Sequence, residues 1–353
     1  MAAAPSSAVV PALCLLLSLP FLYFFLGPRL LTPRQIAIPL SDELDDLSLF
    51  HKAIAMSASS SRRLPAAKSH LSAPPKIAFL FLTNSPLHFA PLWELFFANA
   101  TPRHYNIYIH ADPFAKIPPF TGVFKDRLIP SKRTQRSSAT LISAARRLLA
   151  TAMLHDASNT YFALISQHCI PLHSFHFLYD FLFDLSRLSP DFEFPSYIEI
   201  LDNESTLWSR YNARGRNVMP PEVQFDEFRV GSQFFALTRK HALMVIKDRK
   251  LWRKFKLPCF NVESCYPEEH YFPTMLSMQD PNGCSHYTLT RVNWTGSVNG
   301  HPHTYRPPEI SPRLIHRLRQ SNSTYSYMFA RKFSPDCLNP LLEMADSVLF
   351  KDW

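Results

Sequence analysis

The sequence has 353 residues and is 46% apolar and 13% aromatic, which supports a packed core and excludes a chain that is disordered throughout. Its 7 glycines form neither a dinucleotide-binding fingerprint nor a P-loop. The formal net charge of +9 raises the question of nucleic-acid binding, but the basic residues are scattered and their densest run, residues 131–138, is short. We therefore predict no nucleic-acid partner and interpret the run as a solvated loop.

The first 28 residues contain no charged side chain and predict a membrane anchor. The apolar stretch Ala8–Leu26 has about the length needed to span a bilayer, and it is longer than the apolar region of a cleaved signal peptide. We expect residues 1–28 to form a short tip and an uncleaved anchor. Residues 29–75 are expected to be a stem, in which a short helix from Ser41 precedes a flexible linker. Arg29 and Arg34 follow the anchor, and their charges alone favour a cytoplasmic domain.

Two other features favour a luminal domain. Four glycosylation sequons are present, at Asn99, Asn203, Asn293 and Asn322. Five of the six cysteines follow the anchor, which suits an oxidising compartment. Four cysteines in the last third can form two disulfides in three alternative pairings: Cys259, Cys265, Cys284 and Cys337. We expect Cys169 to be a buried free thiol.

From Lys76 onwards, short apolar runs alternate with helical patterns. The runs predict strands at residues 76–83, 105–112, 161–172 and 196–202, with helices within residues 86–100, 137–156 and 174–188. This alternation predicts one α/β domain with a mainly parallel sheet over residues 76–353. Ligands bind at the carboxyl ends of strands in such sheets. That rule places six residues near a site: Thr83, His110, Asp112, Ser166, Gln167 and His168.

An ordered set of segments carries a family resemblance. The segments are KIAFLFLT, YNIYIHADP, RRLLATAMLHDASNTYFALISQHCIPL, FRVGSQFFALTRKHA, CYPEEHYFPTML, VNWTG and FARKF. Their succession between Lys76 and Phe350 resembles the core-2/I-branching β-1,6-N-acetylglucosaminyltransferase family, and its plant branch in particular. The resemblance implies a GT-A type fold and inverting transfer from a UDP-sugar to a glycan. It also implies a type II Golgi membrane protein with its domain in the lumen, against the flanking arginines.

Inverting transfer needs a general base that takes the proton of the attacking acceptor hydroxyl, and a carboxylate within hydrogen-bond reach suffices. The family places this base in a Pro-acid-Glu-His segment. Pro267–His270 matches that segment, so the resemblance implies that Glu269 is the base. Without the resemblance, Glu268 and Glu269 are two acids before a predicted helix, where negative charge complements the helix dipole. We expect that role for Glu268.

The departing diphosphate needs a metal ion or fixed cations. No Asp-x-Asp motif occurs, so we predict neither a metal nor a cofactor beyond the UDP-sugar. The family uses a lysine in a segment that matches Ala330–Phe333 and an arginine upstream of it, which implies Lys332 and leaves Arg317 and Arg319 as candidates. The predicted donor-binding set is Lys332, Arg317, Arg319, Thr83, Asp112 and Gln167.

The acceptor is expected to meet an aromatic platform, and Trp294 matches a tryptophan of the family; core packing is the alternative role for this residue. A pocket-lining segment of the family matches Gly231–Phe235, and a family-like basic loop follows Tyr211. The predicted acceptor-binding set is Trp294, Arg210, Tyr211, Ser232 and Gln233.

The chain departs from its plant relatives at one strand end, where Ser166-Gln167-His168 replaces their usual Ser-Glu-Ser. Transfer of GlcNAc is the leading hypothesis. A plant β-glucuronosyltransferase that acts on arabinogalactan and a catalytically weak, glycan-binding relative are the alternatives. A glycoside hydrolase requires a pair of carboxylates across the scissile bond, and the sequence shows only one well-placed glutamate.

Overall fold

The computed structural model describes residues 35–62, 74–184, 194–297 and 300–352, together with Cys14, Leu16 and residues 18–22. The chain divides into two compact units, Met1–Ile36 and Ala37–Trp353. In the first unit the described residues between Cys14 and Leu22 are helical, and the rest of the predicted anchor lies outside the described residues. No helix in the described part of the chain is long and apolar enough to cross a membrane.

The second unit is a mixed α/β fold. Its strands are β1 (Lys76–Thr83), β2 (Tyr105–Ala111), β3 (Asn159–Ser166), β4 (Ile170–Pro171), β5 (Ala236–Thr238), β6 (Thr290–Val292) and β7 (Phe329–Arg331). Its helices are α1 (Leu40–Arg62), α2 (Ala90–Ala98), α3 (Ala139–His155), α4 (Phe175–Phe183), α5 (Leu207–Tyr211), α6 (Arg239–Lys247), α7 (Lys250–Phe255), α8 (Tyr271–Gln279), α9 (Pro312–Arg319) and α10 (Leu338–Glu343).

The main sheet has the strand order β2-β1-β3-β5. β1 pairs in parallel with β2 and β3, whereas β5 runs antiparallel to β3. A second sheet has the order β4-β7-β6. A parallel-rich sheet flanked by helices fits the expected GT-A type fold.

The side chains of β1 alternate between two cores, because successive residues of a strand point to opposite faces. Ala78, Leu80 and Leu82 belong to a core that includes α3, α6 and α8. Phe79 and Phe81 belong to the other, which includes α2, α4, α9 and α10. Because both faces of the strand are covered, β1 is a nearly continuous apolar run rather than an alternating one.

Two predicted strands differ in the structure. The third is interrupted, because β3 ends at Ser166 and residues 166–169 form a turn in which the Cys169 amide donates to the Ser166 carbonyl at 3.1 Å. The segment 196–202 is not a regular strand and pairs only through isolated bridges. The segment opposite it pairs at Val230 and Ala236 but not continuously between them. There the Gly231 amide donates instead to the Glu269 carbonyl at 2.9 Å.

The first part of the predicted stem is packed on the domain. Helix α1 runs to Arg62, through part of the predicted linker, and contacts α3 and α6. Its Asp46 is buried and accepts bonds of 2.7 Å from Nε and Nη2 of Arg147 in α3. Ser143 donates to the same carboxylate at 2.7 Å. This helix is therefore part of the folded unit, and residues 63–73 of the predicted linker lie outside the described residues.

The basic run 131–138 is an anchored loop rather than the solvated loop we expected. Lys132 forms ion pairs of 2.9 Å with Asp42 and 2.6 Å with Asp45 of α1. The amide and the hydroxyl of Thr134 both donate to Asp112 Oδ2, at 2.8 and 2.9 Å. The loop is thus fixed between the stem helix and the end of β2.

One disulfide joins Cys259 to Cys265. The prediction of a second disulfide is wrong, because Cys284 and Cys337 are separate buried thiols. Cys337 lies beside the Tyr305 carbonyl at 3.3 Å, whereas Cys284 lies 3.9 Å from Nδ1 of His241. Cys169 is a buried free thiol, as expected.

Candidate active site

Two clefts meet near the carboxyl ends of β1 and β3. The strand-end cleft has a volume of about 370 Å³, and its lining includes Thr83, Arg136, Ser166, Gln167, His168, Glu268, His301 and Lys332. The adjoining cleft has a volume of about 550 Å³, and its lining includes Glu199, Leu201, Glu204, Arg210, Ser232, Thr288 and Tyr327. Both clefts are lined by Gln233, Phe234, Glu269, Trp294, Gly300 and Arg331. This shared set marks the place where two bound molecules would meet.

Glu269 occupies the junction. It ends a short 3-10 turn, Pro267–Glu269, and its amide donates to the carbonyl of Tyr266 at 3.0 Å. Arg210 Nη1 donates to Glu269 Oε2 at 2.9 Å, and the Glu269 side chain remains 30% exposed. Burial raises the pKa of Glu269, and the charge of Arg210 opposes that shift. The result is an accessible carboxylate with an elevated pKa, which suits a general base.

Tyr266 contacts two of the cations that act on this carboxylate, Arg210 and Arg136. Its backbone is left-handed, with φ of 37°, and its ring lies 5.0 Å from the Arg210 guanidinium and 5.9 Å from that of Arg136. Cation–π contacts at these distances favour a fixed guanidinium position. Tyr266 was not singled out in the sequence, since a left-handed tyrosine has no local sequence signature.

Glu268, which we expected to complement the dipole of the following helix, is bonded to a distant loop instead. It is 4% exposed and lines the strand-end cleft. Its Oε1 accepts a bond of 3.0 Å from the Ser137 amide. Burial, and secondly the charge of Glu269, raise the pKa of Glu268 to about 8. Two adjacent acids therefore have different environments.

Three cationic side chains line the strand-end cleft: Arg136, Arg331 and Lys332. Burial, followed by the charges of the two arginines, lowers the pKa of Lys332. Arg331 lies over the Phe234 ring at 4.4 Å, and its Nε has no hydrogen-bond partner among the described residues. Arg136 contacts Nε2 of His301 at 2.6 Å. Such a cluster suits a ligand with several negative oxygens, such as a diphosphate.

The two arginines chosen from the sequence do not line either cleft. Arg319 donates to the carbonyls of Leu172, Val348 and Leu349 at 2.7 to 3.1 Å, and it thereby fastens the C-terminal segment. Arg317 lies exposed on α9. Arg136 and Arg331 are instead the guanidinium groups beside Lys332. The basic run after β2 was the available signal for Arg136, because it follows a strand end.

Of the residues predicted at the strand ends, some line the cleft and others only support residues that line it. Thr83 and Gln167 line the cleft, and Gln167 donates to Asn84 Oδ1 at 2.9 Å. Asp112 is not among the lining residues and instead holds Thr134, which is one of them. His168 lines the cleft, and burial and the charge of Lys332 lower its pKa to about 4. Its imidazole is therefore neutral at physiological pH.

His110 is not among the residues that line the two clefts. It is fully buried and contacts Arg147 Nη1 at 3.1 Å through Nε2. Burial lowers its pKa to about 3, so it remains a neutral structural side chain.

The adjoining cleft gathers most of the predicted acceptor residues. Arg210, Ser232, Gln233 and Trp294 line it, and Trp294 is 52% exposed. Tyr211 is buried instead, and its hydroxyl donates to the Val223 carbonyl at 2.8 Å. An exposed indole beside carboxylate and amide side chains resembles a sugar-binding surface, because indole rings cover apolar sugar faces and polar groups bond hydroxyls.

Glu199 is a further acid that the sequence did not single out. It lies beside the isolated bridges of segment 196–202 and lines the adjoining cleft. Burial raises its pKa, and the charge of Glu269 adds to that effect. The predicted strand pattern placed Glu199 simply as a polar residue between apolar neighbours.

Among the described residues, no group of three or more His, Cys, Asp or Glu side chains could hold a metal ion.

Comparisons with known proteins give the family. Residues 77–319 match the Core-2/I-Branching enzyme family. The chain is also 25% identical over 320 residues to Glycosyltransferase BC10 of Oryza sativa subsp. japonica, an alignment that covers 76% of each chain. These matches confirm the resemblance drawn from the ordered segments. The chain therefore belongs to the Core-2/I-Branching enzyme family and is a glycosyltransferase.

Proposed function

We propose that the enzyme transfers a sugar, GlcNAc, from its UDP derivative to a hydroxyl of a glycan, with inversion and formation of a β-linkage. The supporting observation is Glu269, a partly exposed carboxylate where the cation-lined cleft meets the indole-lined cleft. The donor occupies the strand-end cleft, and the acceptor occupies the adjoining one.

The reaction follows from this arrangement. Glu269 takes the proton of the acceptor hydroxyl as its oxygen forms a bond to the anomeric carbon. The bond between that carbon and the diphosphate oxygen breaks, and its electron pair leaves with UDP. Arg136, Arg331 and Lys332 stabilise the charge that grows on the leaving group, which preorganised cations do effectively in a partly buried site.

A donor screen tests the sugar assignment. The purified protein is incubated with UDP-GlcNAc, UDP-GlcA or UDP-Gal, with and without mixed glycan acceptors, and released UDP is measured. We expect UDP release with UDP-GlcNAc. Release with UDP-GlcA instead would favour the glucuronosyltransferase alternative. Absence of turnover with every donor, in a protein that still binds UDP, would favour the weak glycan-binding relative, for which the Gln167 departure is the supporting feature.

Arg210 is proposed to keep the base ionised. Its removal leaves burial unopposed at Glu269, so the pKa of Glu269 rises further. Because only the ionised form accepts a proton, the acid limb of the kcat–pH profile of Arg210→Met is expected to move upwards by about one pH unit. Arg210→Lys, which keeps the charge, should show a smaller movement. An unshifted limb in Arg210→Met would contradict this role.

Metal independence is a further proposal, supported by the three cations beside the predicted diphosphate position. We expect less than a twofold change in initial rate after dialysis against EDTA. Full loss that Mn²⁺ restores would show that a metal neutralises the diphosphate instead. Mn²⁺ added to the untreated enzyme is the control for nonspecific effects.

We propose that residues 1–28 tether the enzyme to the Golgi membrane with residues 76–353 in the lumen. Exposed Asn99, Asn203 and Asn322, together with the disulfide, support this topology. Asn293 is half-buried beside Trp294, and its Oδ1 accepts the Thr295 amide at 3.0 Å. We therefore expect endoglycosidase to shift the mass of the expressed protein by three glycans and to find Asn293 unmodified. No shift at any sequon would contradict the luminal orientation.

A further inference from the structure

Glu268 is a buried acid with one satisfied and one unsatisfied oxygen. Its Oε1 accepts the Ser137 amide, whereas its Oε2 has no hydrogen-bond partner among the described residues. The same side chain lines the strand-end cleft that contains Arg136 and Lys332. A buried polar atom without a partner costs stability, so a native structure that retains one at a cleft calls for a functional explanation.

The surroundings of Glu268 disfavour its charged form. Glu269 follows it directly and adds a like charge. Arg136 faces it from the anchored loop, but its guanidinium bonds to His301 and to the Gly300 carbonyl. Arg214, from the turn Asn212–Arg214, also acts on it electrostatically, but donates to the Phe255 carbonyl. Neither guanidinium forms an ion pair with Glu268 in the described part of the chain. His270, next in sequence, is buried and its pKa is lowered to about 3 by burial, so it adds no charge.

We propose that Glu268 works as an un-ionised carboxylic acid that donates its Oε2–H to a diphosphate oxygen of the bound UDP-sugar, while its Oε1 accepts from the Ser137 amide. This role rests on the proposed function. A diphosphate offers only acceptors, so a protonated acid complements it and an ionised one repels it. The raised pKa of about 8 keeps Glu268 protonated at the pH at which Glu269 must accept a proton. Adjacent acids whose pKa values are separated can thus have opposite roles.

Substitution by glutamine tests the donor role, because an amide also accepts with its oxygen and donates with its nitrogen. At pH 6.5 we expect Glu268→Met to raise the donor KM by about fivefold or more, and Glu268→Gln to raise it less. Above pH 8 the wild type should lose affinity for UDP and kcat/KM for the donor as Glu268 ionises. The glutamine variant should lack this alkaline limb. A glutamine variant as impaired as the methionine variant, or an unchanged alkaline limb, would overturn the proposal.

Stability provides a readout that does not depend on any sugar donor. Because the folded pKa exceeds the ordinary 4.5, the wild type loses stability as pH rises from about 4.5 to about 8, and Glu268→Gln does not. The Tm of the glutamine variant minus that of the wild type should therefore grow across this range and level off above it. A Tm difference that does not change with pH would contradict an un-ionised Glu268 and overturn the proposal. A growing difference without any change in the pH dependence of UDP titration would overturn the contact with the donor.

The two readouts separate this inference from the proposed function. If no UDP-sugar is turned over, the transfer proposal fails, while UDP titration and the Tm difference still decide the state and the contact of Glu268.

Discussion

Replacing Glu269 by glutamine is expected to lower kcat by about 100- to 10,000-fold, which is the usual contribution of a positioned general base. The amide keeps the shape of the side chain and can still accept a hydrogen bond from Arg210, but it cannot take a proton. The proposed donor contacts are the cations of the strand-end cleft, so the affinity for UDP should change little. Initial rates at saturating donor and acceptor give kcat, and calorimetric titration with UDP gives the dissociation constant.

Glu199→Gln is the matched control for this substitution. It makes the same chemical change in an acid of the adjoining cleft, where we propose that the acceptor binds and not the departing diphosphate. We expect Glu199→Gln to act mainly on the acceptor KM, in contrast to the kcat effect at Glu269. Unchanged kcat in Glu269→Gln would remove Glu269 as the base, and a larger kcat loss at Glu199 would transfer that role to Glu199.

The proposed location in the Golgi, a mildly acidic compartment, bears on the same pair of glutamates. Burial raises the pKa of both acids, but Arg210 opposes the shift only at Glu269. The one with the ion pair is therefore the first to ionise as pH rises. With a pKa of about 8, Glu268 is protonated at mildly acidic pH, whereas the proposed reaction requires Glu269 to ionise before it.

The central strands were predictable because local signals decide them. Residues 76–83 form a continuous apolar run, and both faces of that strand are covered by helices. Segment 196–202 has a strand-like alternation, but the segment opposite it is diverted where the Gly231 amide bonds to the carbonyl of Glu269 in the turn Pro267–Glu269. That diversion is a tertiary contact between distant residues, and no window of the sequence contains it.

The part of the candidate site that lies in short, recognisable segments was also predictable. Glu269, Trp294 and Lys332 lie in short segments that match the family, and the structure brings them to one pair of clefts. Arg317 and Arg319 were chosen only because the family has an arginine upstream of this lysine, and no matching segment fixed which arginine it is. Arg136 is distant in sequence from Lys332 and reaches the cleft only because loop 131–138 is anchored at both α1 and β2.

Helix α1, in the predicted stem, anchors the loop 131–138. α1 provides Asp42 and Asp45 to Lys132, and the following residues of that loop include Thr134 and Arg136 of the strand-end cleft. A helix outside the matched family region therefore supports a loop of the strand-end cleft. A truncated protein that begins at Lys76 would retain every family segment and lose this support.

Asp46→Ala is expected to lower the free energy of unfolding by about 3–5 kcal/mol, the usual cost of removing one partner from a buried ion pair. Asp46 and Arg147 have side chains that are only 8% and 5% exposed, and both carboxylate oxygens accept bonds from the guanidinium. Without Asp46, Arg147 would keep a buried charge with His110, a neutral side chain, as its neighbour. Urea denaturation followed by tryptophan fluorescence measures the change.

Asp45→Ala is the matched control, since it removes an acid from the adjacent position of the same helix. The Asp45 side chain is 65% exposed and pairs with Lys132, which keeps Asp42 as a second partner, so we expect little change in stability. Similar losses in both variants would mean that α1 is stabilised by helix packing in general rather than by the buried pair. No loss in Asp46→Ala would mean that Arg147 finds water, and that α1 is not firmly docked on α3. A large loss of stability in Asp46→Ala with little change in Asp45→Ala would show that α1 is part of the folded domain. The N-terminal boundary of that domain would then lie before Leu40, upstream of β1.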